Sequence, residues 1–117
     1  MSIERVDVGA RMSQMVIHGN TVYLAGQVAR NAGGQPVDAQ TKDILKIIDG
    51  LLAQAGSDKS RLLSANIWLS DIGTFNEMNA VWDAWVAPGN TPCRACVESK
   101  LAAPQYTVEI MVTAARD

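Results

Sequence analysis

The hydrophobic positions of this chain recur with two different periods, and each change of period marks an element. Between Met15 and Gly26 two short β-prone runs flank His18-Gly19-Asn20-Thr21, and Gly-Asn is a two-residue hairpin signal. A β-hairpin is predicted there, with His18 as a turn residue. Residues 31–38 are turn chemistry, rich in Asn, Gly, Pro and Asp. From Asp38 the period lengthens to that of a helix. Ile44, Ile47, Ile48, Leu51, Leu52 and Ala55 form one stripe, with Lys42, Asp43, Lys46 and Asp49 mostly off it, and Gly56 fits the stop.

Period two returns after residue 61. Leu63, Ala65, Ile67 and Leu69 are predicted on one face of a strand, against Ser64, Asn66, Trp68 and Ser70 on the other. Thr74 and Glu77 have the spacing of a capping box, and Met78, Val81, Trp82 and Trp85 follow at helical spacing until Pro88-Gly89. Residues 92–98 and 106–114 read as two more strands. In the second, Tyr106, Val108, Ile110 and Val112 oppose Thr107, Glu109, Met111 and Thr113. An extra strand at residues 2–7 would extend the sheet.

The order ββαβαββ makes an α+β fold, a two-layer sandwich in which two helices cover one face of a mixed sheet of five to six strands. One domain spans residues 1–117. The uncovered face would then carry Trp68, Asn66, Met111 and Glu109, too apolar for a solvated surface and too polar for a core. Such a face is expected to pack on other copies of the chain, with polar pockets in the seams.

Composition narrows the function classes. Ten Lys and Arg stand against twelve Asp and Glu, for a net charge of −2. No basic block is present, which argues against a nucleic-acid partner. Apolar runs fall far short of the ~20 residues that span a bilayer, and the start lacks the apolar region of a signal peptide, so a cytoplasmic protein with reduced thiols is expected, with no membrane partner. A chain of 117 residues has little interior to give up to a pocket, which favours sites at subunit interfaces.

The segment Thr91-Pro92-Cys93-Arg94-Ala95-Cys96-Val97-Glu98 carries the candidate chemistry. Side chains alternate along a strand, so Cys93 and Cys96 point to opposite faces and are poorly placed to chelate a metal or cross-link. The only histidine, His18, sits at the hairpin tip, and the five methionines form no cluster, so no metal site is expected. Arg94 and Cys96 share a face. A guanidinium among small residues needs a partner. Either a neighbouring carboxylate forms a structural ion pair, or the planar fork awaits a ligand carboxylate. Trp82 and Trp85 lie on the apolar helical stripe and are expected to be core or subunit-contact residues, not stacking platforms.

Pro92-x-Arg94-x-Cys96-Val97-Glu98 followed by Val108-Glu109-Ile110 resembles the C-terminal signature of the RidA/YjgF family of reactive-intermediate deaminases. The similarity continues through Ser13-Gln14, Ala25-Gly26-Gln27, Ala55-Gly56, Ala65-Asn66-Ile67-Trp68-Leu69 and Phe75-Asn76-Glu77-Met78-Asn79, and so covers essentially the whole chain. The resemblance implies a chorismate-mutase-like fold and a homotrimer with three sites at subunit interfaces. It also implies cofactor-free hydrolysis of 2-imino and enamine acids, such as 2-aminoacrylate, to 2-keto acids and ammonia. Carried over by motif, Arg94 matches the arginine that clamps the substrate carboxylate, and the backbone around Cys96 matches the group holding the imine end. Glu109 matches the glutamate associated with the hydrolytic water, while Gly26 and Asn79 match pocket-lining positions. Without the resemblance, Glu109 would read as an ion-pair partner and Asn79 as a helix-surface amide.

Departures from the family pattern fall in the same region. Met12 stands where a pocket tyrosine is expected, Ala25 replaces a serine, and Leu101-Ala102-Ala103-Pro104 lengthens the link before the last strand. This looks like a side branch of the family. Loss of hydrogen-bonding groups relaxes discrimination, so a bulkier imine or slower turnover is expected, with Met12 as a flexible apolar wall. A second reading is a trimer that binds a small carboxylate without turning it over. A third, ribonuclease activity, is disfavoured by the acidic balance.

Overall fold

The computed structural model describes all residues, 1–117. Seven strands and two helices follow one another as β1 (Ile3–Val8), β2 (Ser13–His18), β3 (Thr21–Leu24), β4 (Gln27–Val28), α1 (Val37–Gln54), β5 (Leu62–Leu69), α2 (Phe75–Trp85), β6 (Cys93–Glu98) and β7 (Val108–Ala115). They form one sheet in the order β1-β2-β3-β7-β5-β6, with the two-residue β4 pairing with β7 beyond β3. Only β5 and β6 run parallel; α2 is the crossover between them, as a parallel connection requires. The predicted α+β sandwich is observed, with β4 as an additional short strand.

The expected hairpin is β2–β3, closed by Gly19-Asn20, with Gly19 at φ 61. Helix α1 ends as its sequence foretells. Gly56 has φ 76, its N–H donates to the carbonyl of Ala53, and the Ser57 N–H reaches back to that of Leu52. The helical stripe meets the sheet in a core that includes Ile44, Ile48, Leu52, Ile67, Leu69, Met78, Ile110 and Val112, each at most 1% exposed. Truncating one of these, as in Ile48→Ala, removes transfer energy and leaves a cavity, for a cost of about 2–5 kcal/mol.

Two local expectations are corrected. Leu63 was predicted on the inner face, yet it is exposed and Leu62 is buried instead. The pairing of β5 with β7 shifts between Leu62 and Ser64, and that bulge moves the start of the inner row back by one residue. The Thr74–Glu77 capping box does not form either. Asp71 accepts from the Gly73 N–H and starts a single 3-10 turn, Ile72–Thr74, ahead of α2. Thr74 is thereby already in a turn conformation, and its hydroxyl donates backwards to the Asp71 carbonyl instead of accepting from the helix.

Register fixes the two faces. In β5, Ala65, Ile67 and Leu69 are buried beneath the helices, while Asn66 and Trp68 face the other way. Across the antiparallel pair, Trp68 lies beside Glu109 and Asn66 beside Met111, so all four residues expected on the uncovered face are there. Tyr23 and Val97, 47% and 51% exposed, extend the apolar part of that face.

Candidate functional site

The candidate residues fall into two groups on opposite faces of the sheet. Arg94 is paired in register with Ala65, and Cys96 with Ile67, so both point toward the helix layer, as their shared face requires. Glu109 is paired with Trp68 and points to the uncovered face. Between β6 and β7 lies β5, so the two backbones are also separated by two strand spacings, roughly 10 Å.

On the helix side, the Arg94 Nη1 donates to Asn79 Oδ1 at 2.7 Å. The guanidinium carbon lies 5.5 Å from the centre of the Trp82 ring and 5.8 Å from that of Phe75. Asn79 is therefore no idle surface amide. No carboxylate oxygen comes within 4 Å of the guanidinium: the ion pairs join Arg61 to Asp117 and Arg116 to Glu4. The structural ion pair weighed for Arg94 is not formed. Cys96 is half-buried against the core edge, and burial pushes its thiol pKa up while the Arg94 charge opposes that shift. It is thus held as a thiol, unlike an activated nucleophile. Cys93 is exposed, and its thiol donates to the Leu63 carbonyl, 3.2 Å away. The two sulfurs do not share a face.

On the uncovered side, Glu109 lines a small pocket of about 180 Å³ with Trp68, Ser99, Lys100, Leu101 and Ala102. Burial raises its carboxyl pKa above the usual range. Its carboxylate is seated directly on Gly26. A Cβ at that position would lie 3.1 Å from Glu109 Cδ and closer still to Oε2, so any side chain there would have to displace the carboxylate. The segment carrying Gly26 is tied down by Gln27, which is buried and whose Nε2 donates to Gln14 Oε1 and to the Ala25 carbonyl, each at 3.0 Å.

The segment between this pocket and β7 has its own anchor. Gln40, fully buried in α1, donates to the carbonyls of Gln35 and Gln105, each at 2.8 Å, and accepts from the Thr107 N–H at 2.9 Å. It thereby ties down Gln105–Thr107, the end of the connection that enters β7, while the Ser99 N–H donates to the Leu69 carbonyl at the other end. Sequence periodicity assigned Gln40 no role; a polar residue one turn ahead of Ile44 on the apolar stripe was the available signal. Phe75 and Trp82 were missed as neighbours of Arg94, although with Asn79 they are spaced i, i+4, i+7 on one helix face. Trp82 is a core residue, 5% exposed, as expected, and in addition offers its ring to the guanidinium.

Met12 joins neither group by direct contact. It is 49% exposed in the β1–β2 connection, where its carbonyl accepts from the Gly9 N–H, and lines a separate depression with Asp7, Arg11 and Gln14. Gln14 links that connection to the Gly26 segment, since its carbonyl also accepts from the Ala25 N–H. A groove of about 810 Å³ runs between α1 and α2 over Leu45, Val81 and Trp85 and contains none of the candidate residues. No group of His, Cys, Asp and Glu is arranged to hold a metal ion, and no helix is long and apolar enough to cross a membrane.

Known proteins match this chain over its whole length. Residues 2–116 fit the protein family described as Endoribonuclease L-PSP. A RutC family protein of Haemophilus influenzae is 45% identical over 114 residues, covering 97% of this chain and 98% of the relative. The RutC family protein YoaB of Escherichia coli is 44% identical over 115 residues, covering 98% and 99%. Among solved structures, a member of the YjgF protein family from Neisseria meningitidis superposes with a TM-score of 0.96 at 46% identity, covering 100% of this chain and 97% of that one. A Mycobacterium tuberculosis member of the YjgF/YER057c/UK114 family superposes at 0.87 with 28% identity, covering 97% and 99%. The motifs around Arg94 and Glu109, the two-helix sandwich and these end-to-end matches agree: the chain belongs to the YjgF family, described as Endoribonuclease L-PSP.

Proposed function

We propose that this protein hydrolyses reactive 2-imino and enamine acids to 2-keto acids and ammonia, without a cofactor, at sites formed between copies of the chain in a homotrimer. The observation that carries the reading is the Arg94 guanidinium, oriented by Asn79 yet unmatched by any carboxylate of its own chain. A ligand carboxylate would complete it through two parallel N–H donations. Family membership supports the same class of chemistry.

In this reading Arg94 binds the substrate carboxylate, and the backbone at Cys96 orients the imine nitrogen. An enamine acid first tautomerises to the imine. Water adds to the imine carbon: the C–O bond forms, the C=N π pair moves to nitrogen, and the proton lost by water ends on that nitrogen, giving a carbinolamine. The C–N bond then breaks as the hydroxyl proton is transferred to nitrogen, releasing ammonia and leaving the keto acid. Glu109 orients or deprotonates the water, and its raised pKa brings it nearer the range of an effective base. Arg94 and Glu109 lie on opposite faces, so a second copy must bring its Glu109, with Gly26, up to the Arg94 side of the first. The mixed uncovered face supplies a surface for that assembly.

The test is a coupled assay in which an amino-acid oxidase generates an imine and keto-acid formation is followed with wild type, Arg94→Ala and Glu109→Ala. Acceleration that both substitutions abolish is the expected result. Absence of acceleration across several imines, in a folded protein, would sink the hydrolase reading. Arg94-dependent binding of a keto acid without turnover would instead identify a carboxylate-binding protein.

A further inference from the structure

We propose that Phe75 and Trp82 are positioning residues for Arg94: two rings of α2 bed its guanidinium and aim its unused donors at an incoming carboxylate. The inference rests on the functional reading above, because it names what orients the same arginine.

Phe75, Asn79 and Trp82 occupy one face of α2 at i, i+4 and i+7, a span of roughly 10 Å along the axis. The guanidinium lies within 6 Å of both ring centres and is bonded to the asparagine between them. An exposed arginine on an edge strand would ordinarily sample many rotamers. Here three contacts from one rigid helix select one of them. Trp82 is itself locked in the core, 5% exposed, whereas Phe75 is a large apolar ring at the helix start that stays 37% exposed.

The nature of the support matters as much as its position. A carboxylate partner would hold the guanidinium equally well but would occupy its fork and cancel its charge. The negative face of an aromatic ring attracts the cation while leaving both the charge and the in-plane N–H groups available. Asn79 accepts from Nη1, and the remaining donors of the five stay free for an anion. The helix therefore orders the arginine without neutralising it, and a planar carboxylate meets a fork whose rotamer is already chosen.

The proposal is tested by calorimetric titration of 2-oxobutanoate, a keto-acid product, into wild type, Arg94→Ala, Phe75→Leu, Trp82→Leu and Trp82→Phe. Imine KM and kcat are measured in parallel, folding is monitored by circular dichroism, and the Arg94 Nε–H resonance is recorded. Arg94→Ala is expected to abolish measurable binding. Phe75→Leu and Trp82→Leu should each weaken binding and raise KM about three- to tenfold while kcat at saturation changes little, with Trp82→Phe restoring most of the affinity. The Nε–H resonance should lose its ring-current shift in the leucine variants. If Arg94→Ala weakens binding while both folded leucine variants bind like wild type, the positioning role is overturned and the carboxylate reading stands. If Arg94→Ala itself binds normally, both fall together. Should Trp82→Leu fail to fold, Phe75→Leu and its resonance decide alone, since Phe75 lies outside the core.

Discussion

Arg94 and Glu109 are both charged residues on strands that flank β5, yet their surroundings differ in kind. Arg94 is supported from beneath by a helix: two rings and an amide hold it while its charge stays whole. Glu109 is hemmed in by a glycine, a tryptophan and a loop, has no ion-pair partner, and is pushed toward its neutral form. One environment preserves a permanent charge. The other tunes a titratable group. In the proposed reaction the first would bind a charged small acid and the second would act on water, from opposite faces of one sheet.

The largest effect is expected when two inactive variants are mixed. If the guanidinium of one copy meets the carboxylate of another, Arg94→Ala and Glu109→Gln proteins are each nearly inactive, yet they complement when co-refolded. Random assortment into trimers should restore about a quarter of wild-type sites. No recovery in the mixed species, read by the coupled assay after separation by charge, would require both groups to come from one chain.

Gly26→Ala sharpens the distinction at the next level. The added methyl must displace the Glu109 carboxylate and should lower kcat by roughly 10²-fold, the lower end of a general-base contribution. Keto-acid affinity should stay within about threefold of wild type, because the Arg94 side is untouched. A large loss of affinity with intact kcat would contradict the assignment of roles.

The smallest effect is on pH dependence. The folded-state pKa of Glu109 lies above its unfolded value, so the neutral form is favoured in the folded chain. That stability is fully present below the unfolded pKa and is lost as pH rises through the folded one. Glu109→Gln should therefore raise Tm at neutral pH, with the gain vanishing in acid. The acid limb of kcat should likewise fall above the ordinary carboxylate range. Identical Tm profiles for the two proteins would remove the desolvation argument.

Much of this arrangement is legible in the sequence because side-chain alternation is a strong constraint. Alternation put Arg94 with Cys96, separated the two cysteines, and listed the residues of the uncovered face. It could not say which face Arg94 joins, since that depends on the β5–β6 register, a long-range pairing. For the same reason the separation of Arg94 from Glu109 was invisible, although each was singled out. Leu63 was misread because a bulge shifts the alternation by one residue without leaving a mark in residue type. Thr74 was misread because Asp71, three residues earlier, competes for the start of the helix and wins with a better acceptor.

Two of the three hydrogen bonds of Gln40 reach far along the chain. They join positions 65 and 67 residues apart in the chain, so α1 holds the Gln105–Thr107 segment through which the connection from the pocket enters β7. The amide of Thr107 should then exchange with solvent only in openings that release the helix. Protection of that one amide would report whether helix and sheet are together.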